Sequence, residues 1–247
     1  MKFTYDAYRN LLSLLDFNGY KFADYHDWKE VSRCVILRHD IDNDISQALE
    51  FARLEADFGV NSTYFVLIRT DMYNAFSKSN MDMLKEMIRC GHSVGLHFDE
   101  MNYPDAIGNP EKVQNHILEE AGLLEKAIGH TVTCVSMHRP SQSVLNADLA
   151  VPGMVNSYGK TFFRAFKYLS DSRRHWREPV EEIVESGKYD RLHILTHAFW
   201  YREKEQDMHS VLEKFMNRAN DERYQILRDN ITNLDEVISE EDVKGYS

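Results

Sequence analysis

The sequence predicts an α/β fold built as a parallel barrel, and three features carry that expectation. Short apolar runs of strand length alternate with segments of helical period, in the order strand, helix, strand, helix, strand, helix, strand. The first run, Cys34-Val35-Ile36-Leu37, is continuously apolar rather than alternating, as suits a strand buried on both faces. Four runs end in ionisable clusters: Arg38-His39-Asp40-Ile41-Asp42, His92-Ser93-Val94-Gly95-Leu96-His97, Met137-His138-Arg139-Pro140 and Thr196-His197. The C-terminal strand ends of a parallel barrel build its active site, so four such ends would bring acids and imidazoles to one rim.

Along the chain, residues 6–15 form an amphipathic helix with Tyr8, Leu11, Leu12 and Leu15 on one face. After the strand at 34–37, a helical period begins at Asp44, with Ile45, Leu49, Ala52 and Ala56 on one face and Gly59 as its stop. Residues 62–68 are β-rich, 81–90 helical and 93–96 a short strand. A long helix spans 110–128, with Asn109 as cap, Pro110 in the first position and Gly129 at the end. Residues 131–137 read as a strand, 155–163 and 166–169 as weaker ones, 179–186 as a helix and 192–196 as a strand. The charged tail, 205–240, is mostly helical. No Gly/Pro/Ser linker interrupts this order, so a single domain over 1–247 is expected, with 1–30 as a helical lead-in and 205–247 as a C-terminal helical segment.

Composition narrows the function. The chain has 247 residues, is 43% apolar and 28% charged, and carries a net charge of −11. It is long enough to bury a large core without disulfides. Nucleic-acid binding wants the opposite sign on at least one face, and no basic run exceeds Arg173-Arg174-His175. No run approaches the roughly 18 apolar residues of a membrane span. The N-terminal residues lack the apolar core of a secretory signal. Cys34, Cys90 and Cys134 are odd in number and far apart, as expected of free thiols in the cytoplasm. The Gly-rich turn of a dinucleotide site, a P-loop and a nucleophile elbow are all absent from the sequence.

The clusters point to hydrolysis around a divalent metal. Asp40 and Asp42 are two apart, so on an extended chain both face one cavity while Ile41 faces away. One can ligate an ion while the other serves as a base. Asp44 is the helix cap. His92 and His97 are five apart, which on a strand puts them on opposite faces; His97, at the strand end, is the ligand and His92 is structural. His138 and Arg139 follow a strand directly. His197 precedes Ala198-Phe199-Trp200-Tyr201, where partial desolvation tunes an imidazole for acid–base work. Trp200, Tyr168 and Asp171 are candidate substrate contacts at the pocket mouth. The competing reading of each histidine is a loop or core residue bonded to backbone; their shared position at strand ends favours the site.

On Leu37-Arg38-His39-Asp40-Ile41-Asp42, Asn61-Ser62-Thr63-Tyr64-Phe65, Gly91-His92-Ser93-Val94-Gly95-Leu96-His97 and Leu195-Thr196-His197, the chain resembles the polysaccharide deacetylase superfamily, the NodB-homology or carbohydrate esterase family 4 fold. The resemblance spans about residues 35–197 and implies a distorted (β/α)7 barrel. It further implies a divalent metal, commonly zinc, that serves to remove N- or O-acetyl groups from sugars. Carried onto this chain, it makes Asp40 the catalytic base, Asp42 and His97 metal ligands, His197 the general acid and Arg139 the arginine that orients the base. The family's second metal histidine lies four residues after the first, where this chain has Met101, a poor ligand for such an ion. The third ligand is therefore assigned to His138, ahead of His197 and then Asp99. Arg38 or Arg139 is expected to hold Asp40 ionised.

The activity expected is a metal-dependent deacetylase acting on an N-acetylated or N-formylated sugar or nucleotide-sugar, with bacterial surface-polysaccharide biosynthesis as one setting. Two alternatives stand beside it: an amidohydrolase of a non-sugar amide, and a non-catalytic barrel that has lost part of its metal set, which Met101 would favour.

Overall fold

The computed structural model describes residues 1–244, so the last three positions of the expected C-terminal segment, 245–247, lie outside the described residues. The chain divides into two compact units, Met1–Glu203 and Lys204–Ser247.

The first unit is built on a wholly parallel sheet. Its strands are β1 (Lys21–Ala23), β2 (Cys34–Ile41), β3 (Thr63–Leu67), β4 (Ser93–Phe98), β5 (Cys134–Met137), β6 (Val155–Asn156), β7 (Lys167–Ser170) and β8 (Arg191–Thr196). Seven of them run in the order β6-β5-β4-β3-β2-β8-β7, and β1 pairs with the lower half of β2. A flat sheet would hold β2 and β5 about 14 Å apart, three strand spacings. Instead Arg38 on β2 donates to Ser136 Oγ on β5 at 2.5 Å and to Ser157 Oγ, just past β6, at 2.9 Å. The sheet is therefore rolled around its own inner face, and β6 and β7 remain its unpaired edges. This is the expected distorted (β/α)7 barrel.

Helices α1 (Tyr5–Phe17), α2 (Ile45–Asp57), α3 (Lys78–Arg89) and α4 (Pro110–Ile128) supply most of the outer layer, followed by the short α5 (Gln142–Ala147), α6 (Lys160–Arg164) and α7 (Val180–Glu185). The long helices start on side-chain caps that accept backbone N–H groups: Thr4, Asp44, Ser77 and Asn109. Gly129 closes α4 in the left-handed region, φ 69°. Each helix buries its apolar stripe; α1 does so with Tyr8, Leu11, Leu12 and Leu15. Strand β2 is buried at all eight positions, as its unbroken apolar start predicts. At Gly95 on β4 a Cβ would lie 2.6 Å from the Phe65 ring, so only glycine lets that ring into the barrel.

Three of the boundaries that differ from expectation have a local reason. The strand expected at 131–137 begins only at Cys134, because Glu125 Oε1 at the end of α4 takes the Val132 N–H. The strand expected over 155–163 stops after two residues: Asn156 Oδ1 accepts the Tyr158 N–H, the chain turns, and α6 follows. Helix α3 starts three residues before the expected 81, at the Ser77 cap.

The second unit holds α8 (Met208–Asn230) and α9 (Glu240–Lys244), and Tyr224 of α8 donates to Asp235 Oδ1 at 2.6 Å. No helix among the described residues is long and apolar enough to cross a membrane. Cys34, Cys90 and Cys134 are free.

Candidate metal centre

Five strands deliver the site from their C-terminal ends. Asp40 lies near the end of β2 and Asp42 follows its last residue; His97 is the penultimate residue of β4; His138, Asp171 and His197 directly follow β5, β7 and β8. Parallel pairing forces these ends to one rim, which is why residues over 150 positions apart in sequence meet.

Asp42, His97 and His138 converge. Asp42 Oδ1 lies 3.3 Å from His97 Nε2 and 3.3 Å from His138 Nδ1, and the two nitrogens are 3.1 Å apart. All three ligand atoms lie within 4.8 Å of one another. The Nδ1–H of His97 donates to the Ser136 carbonyl at 3.2 Å, which leaves its Nε2 as a bare lone pair facing the other two. Asp42 Oδ1 is buried with no hydrogen-bond partner. Three electron-rich atoms this close repel unless a cation joins them. Tetrahedral ligands at metal–ligand distances near 2.05 Å sit about 3.3 Å apart, so the triangle fits such an ion, and two imidazoles with one carboxylate suit zinc and its first-row neighbours. Met101 sits on an exposed turn, as a poor ligand would; His138 stands in the triad instead. Burial would raise the Asp42 carboxyl, but the His138 and His97 imidazoles beside it hold it well below the carboxylate range. Burial depresses His138, and Asp42 more than offsets this, raising it above the usual imidazole value.

On one side of the triad lies Asp40, whose Oδ2 is 3.6 Å from His97 Nε2. Arg38, fully buried, donates to the same Oδ2 at 2.6 Å. Burial opposes ionisation of Asp40, but Arg38, then His97 and His197, hold its carboxyl below the ordinary value. Its other oxygen, Oδ1, is buried without a partner. His197 Nε2 lies 3.7 Å from the second Asp42 oxygen, Oδ2. Its Nδ1–H donates to Asp171 Oδ1 at 2.6 Å. Burial would depress His197, yet Asp171, with Asp42 and Asp40 behind it, pushes it up to about 9.

The remaining expected residues fall as follows. Arg139 pairs with Asp99 and its side chain is 60% exposed, so the arginine on Asp40 is Arg38. Asp171 is fully buried and also accepts the His197 backbone N–H and the Tyr201 hydroxyl; it holds His197 rather than lining a mouth. The signal was present, since Asp171 ends a strand as Asp42 does. Tyr168 on β7 feels the charges of Arg38 and Asp40, and its ring centroid lies 5.1 Å from that of Phe163. Trp200 packs on the apolar core and stands 4.8 Å from Phe199. His92 is structural, as expected: its Nε2 donates to the Ala52 carbonyl and its Nδ1 accepts the Ser62 N–H. Sequence reasoning missed Ser136 and Ser157, whose hydroxyls anchor Arg38. Ser136 is two residues before His138, on the same strand face, which was the available clue.

No family model matches the chain, and no curated protein matches it. Among solved structures it is similar to a carbohydrate esterase 4 enzyme of Streptococcus mutans, at 14% identity and a TM-score of 0.48, over 73% of this chain and 81% of that one. It is similar to the polysaccharide deacetylase Bc1974 from Bacillus cereus, at 18% identity and a TM-score of 0.46, over 67% and 79%. It is also similar to BA3943 from Bacillus anthracis, described as a pseudoenzyme of the same family, at 13% identity and a TM-score of 0.45, over 77% and 62%.

Proposed function

We propose that the chain is a metal-dependent hydrolase that removes an N-acyl group from a sugar or nucleotide-sugar. The observation that carries this reading is the Asp42–His97–His138 triangle with its unpartnered buried carboxylate oxygen. Those three residues would hold a divalent cation, which when bound supplies Lewis acidity: it polarises the acyl carbonyl and makes water a nucleophile near neutral pH.

The chain's own groups do the proton work. Asp40, held ionised by Arg38, accepts the proton of the attacking water. His197, protonated through its pairing with Asp171, presents Nε2–H beside Asp42 and gives that proton to the leaving nitrogen. An amine is a poor leaving group without a proton, so a protonated imidazole beside an ionised carboxylate suits an amide better than an ester. Tyr158, Phe163 and Tyr168 form a run of rings near Arg38, with centroids 5.7 and 5.1 Å apart. Phe163 is 41% exposed, a surface on which a sugar ring can stack.

The test is metal analysis of protein purified without chelator, followed by an assay of acetate and formate release from N-acylated aminosugars and their nucleotide derivatives. About one bound equivalent per chain, with release abolished by chelation and restored by zinc, is the expected result. Metal-free protein with full turnover would remove the reading.

A further inference from the structure

Behind the metal centre, on the outer face of the same strands, lies a second acid–histidine cluster. Glu55 of α2 is fully buried and accepts four hydrogen bonds: from Tyr8 Oη at 2.6 Å, His39 Nε2 at 2.9 Å, Ser62 Oγ at 2.6 Å and Tyr64 Oη at 2.7 Å. His39 shares its other nitrogen, Nδ1, with Thr196 Oγ1 at 2.6 Å. These residues are not scattered. His39 on β2 is the register partner of Thr196 on β8 and of Tyr64 on β3. Thr196, His39 and Tyr64 thus form one row across three adjacent strands, and Glu55 joins that row to Tyr8 and Ser62.

The next residue after His39 is Asp40, and the next after Thr196 is His197. Side chains alternate along a strand, so His39 and Thr196 of the outer row are each covalently adjacent to a group of the site. From this we infer that Glu55, His39 and Thr196 are positioning residues: they fasten the strand that carries the base to the strand that carries the acid, at the level of the site. None of the three reaches the triad. The inference rests on the roles given above to Asp40 and His197. A purely structural network would also stabilise the protein, but it would leave the separation across the site unchanged when one link is cut.

Thr196→Val cuts the weakest-burdened link at nearly constant volume, and Thr196→Ser keeps the hydroxyl. Both are compared with the zinc-loaded wild-type chain in two ways. The first is the crystallographic separation of His197 Nε2 from Asp42 Oδ2, now 3.7 Å. The second is turnover of N-acetylglucosamine, read as acetate release. For Thr196→Val the expected result is a wider separation and a kcat about tenfold lower, with KM and metal content unchanged, because sub-ångström misplacement of reacting groups is costly. Thr196→Ser is expected to restore both. An unchanged separation overturns the inference whatever the activity, as does a melting temperature that falls while kcat stays at the wild-type value. If the wild-type chain releases neither acetate nor formate from any of the N-acylated aminosugars and nucleotide derivatives named above, the proposed function fails separately and the crystallographic comparison still decides the positioning role. Glu55→Gln, which weakens the opposite end of the row, is expected to widen the same separation.

Discussion

Strand β2 serves two acid–imidazole clusters, one on each face, and they are opposites. On the outer face the Glu55 carboxylate is fully buried and meets four donors. On the inner face Asp42, 27% exposed, has a buried oxygen with no hydrogen-bond partner, crowded by two imidazole nitrogens. Residue types are nearly the same. What separates a structural cluster from a reactive one here is whether its valences are already met inside the protein. The satisfied cluster stabilises the fold; the unsatisfied one reserves its lone pairs for something else.

The comparison breaks most sharply at the triad. Asp42→Asn or His97→Ala should take bound metal from about one equivalent to near zero and turnover below detection, checked by elemental analysis and acetate release. Retained metal in both variants would mean the inner cluster is no different in kind from the outer one. Asp40→Asn comes next: kcat should fall by about 10²–10⁴-fold while metal content holds, since only proton acceptance is lost.

The outer cluster should answer in stability. Burial pushes the Glu55 carboxyl up, but the His39 imidazole, then His92 and the Ser62 hydroxyl, outweigh it and hold it at about 2 rather than the ordinary 4.5. A carboxyl so depressed contributes about 3 kcal/mol that is present above pH 4.5 and lost as pH falls through 2. Urea midpoints measured across that window should drop more steeply for the wild-type chain than for Glu55→Gln, in which the other depressed carboxylates still titrate. Parallel curves would deny Glu55 its role.

Asp171→Asn sharpens the inner half. An acid must carry its proton, so activity should fall as pH rises through about 9, the value to which His197 is raised. Removing the Asp171 charge should move that limb to lower pH and cost about 10–100-fold in kcat, as loss of an orienting partner does. The smallest effect belongs to Arg139→Ala. Arg139 pairs with the buried Asp99 carboxylate rather than with Asp40, so kcat should stay near wild type, whereas for Arg38→Ala it should not.

Much of this was legible in the sequence because strand ends are readable. Continuous apolar runs closed by Asp40, Asp42, His97, His138 and His197 located the rim, and side-chain alternation separated His97 from His92. The fold class followed from the same alternation of periods. Partner choice was not legible. Nothing in the order of residues says that Arg38 rather than Arg139 meets Asp40, or that Asp171 is buried behind His197, since both depend on how far the sheet rolls. Nor does helix periodicity mark Glu55: it shares a turn with Phe51, Ala52 and Leu54 on the buried face, and its burial becomes intelligible only once Tyr8, His39, Ser62 and Tyr64 surround it.

The two-residue β6 has a consequence of its own. Between β6 and β7 no backbone ladder closes the barrel. Amides along such a seam exchange with solvent through small openings rather than global unfolding. Deuterium should therefore enter at 155–158 well before it enters β2.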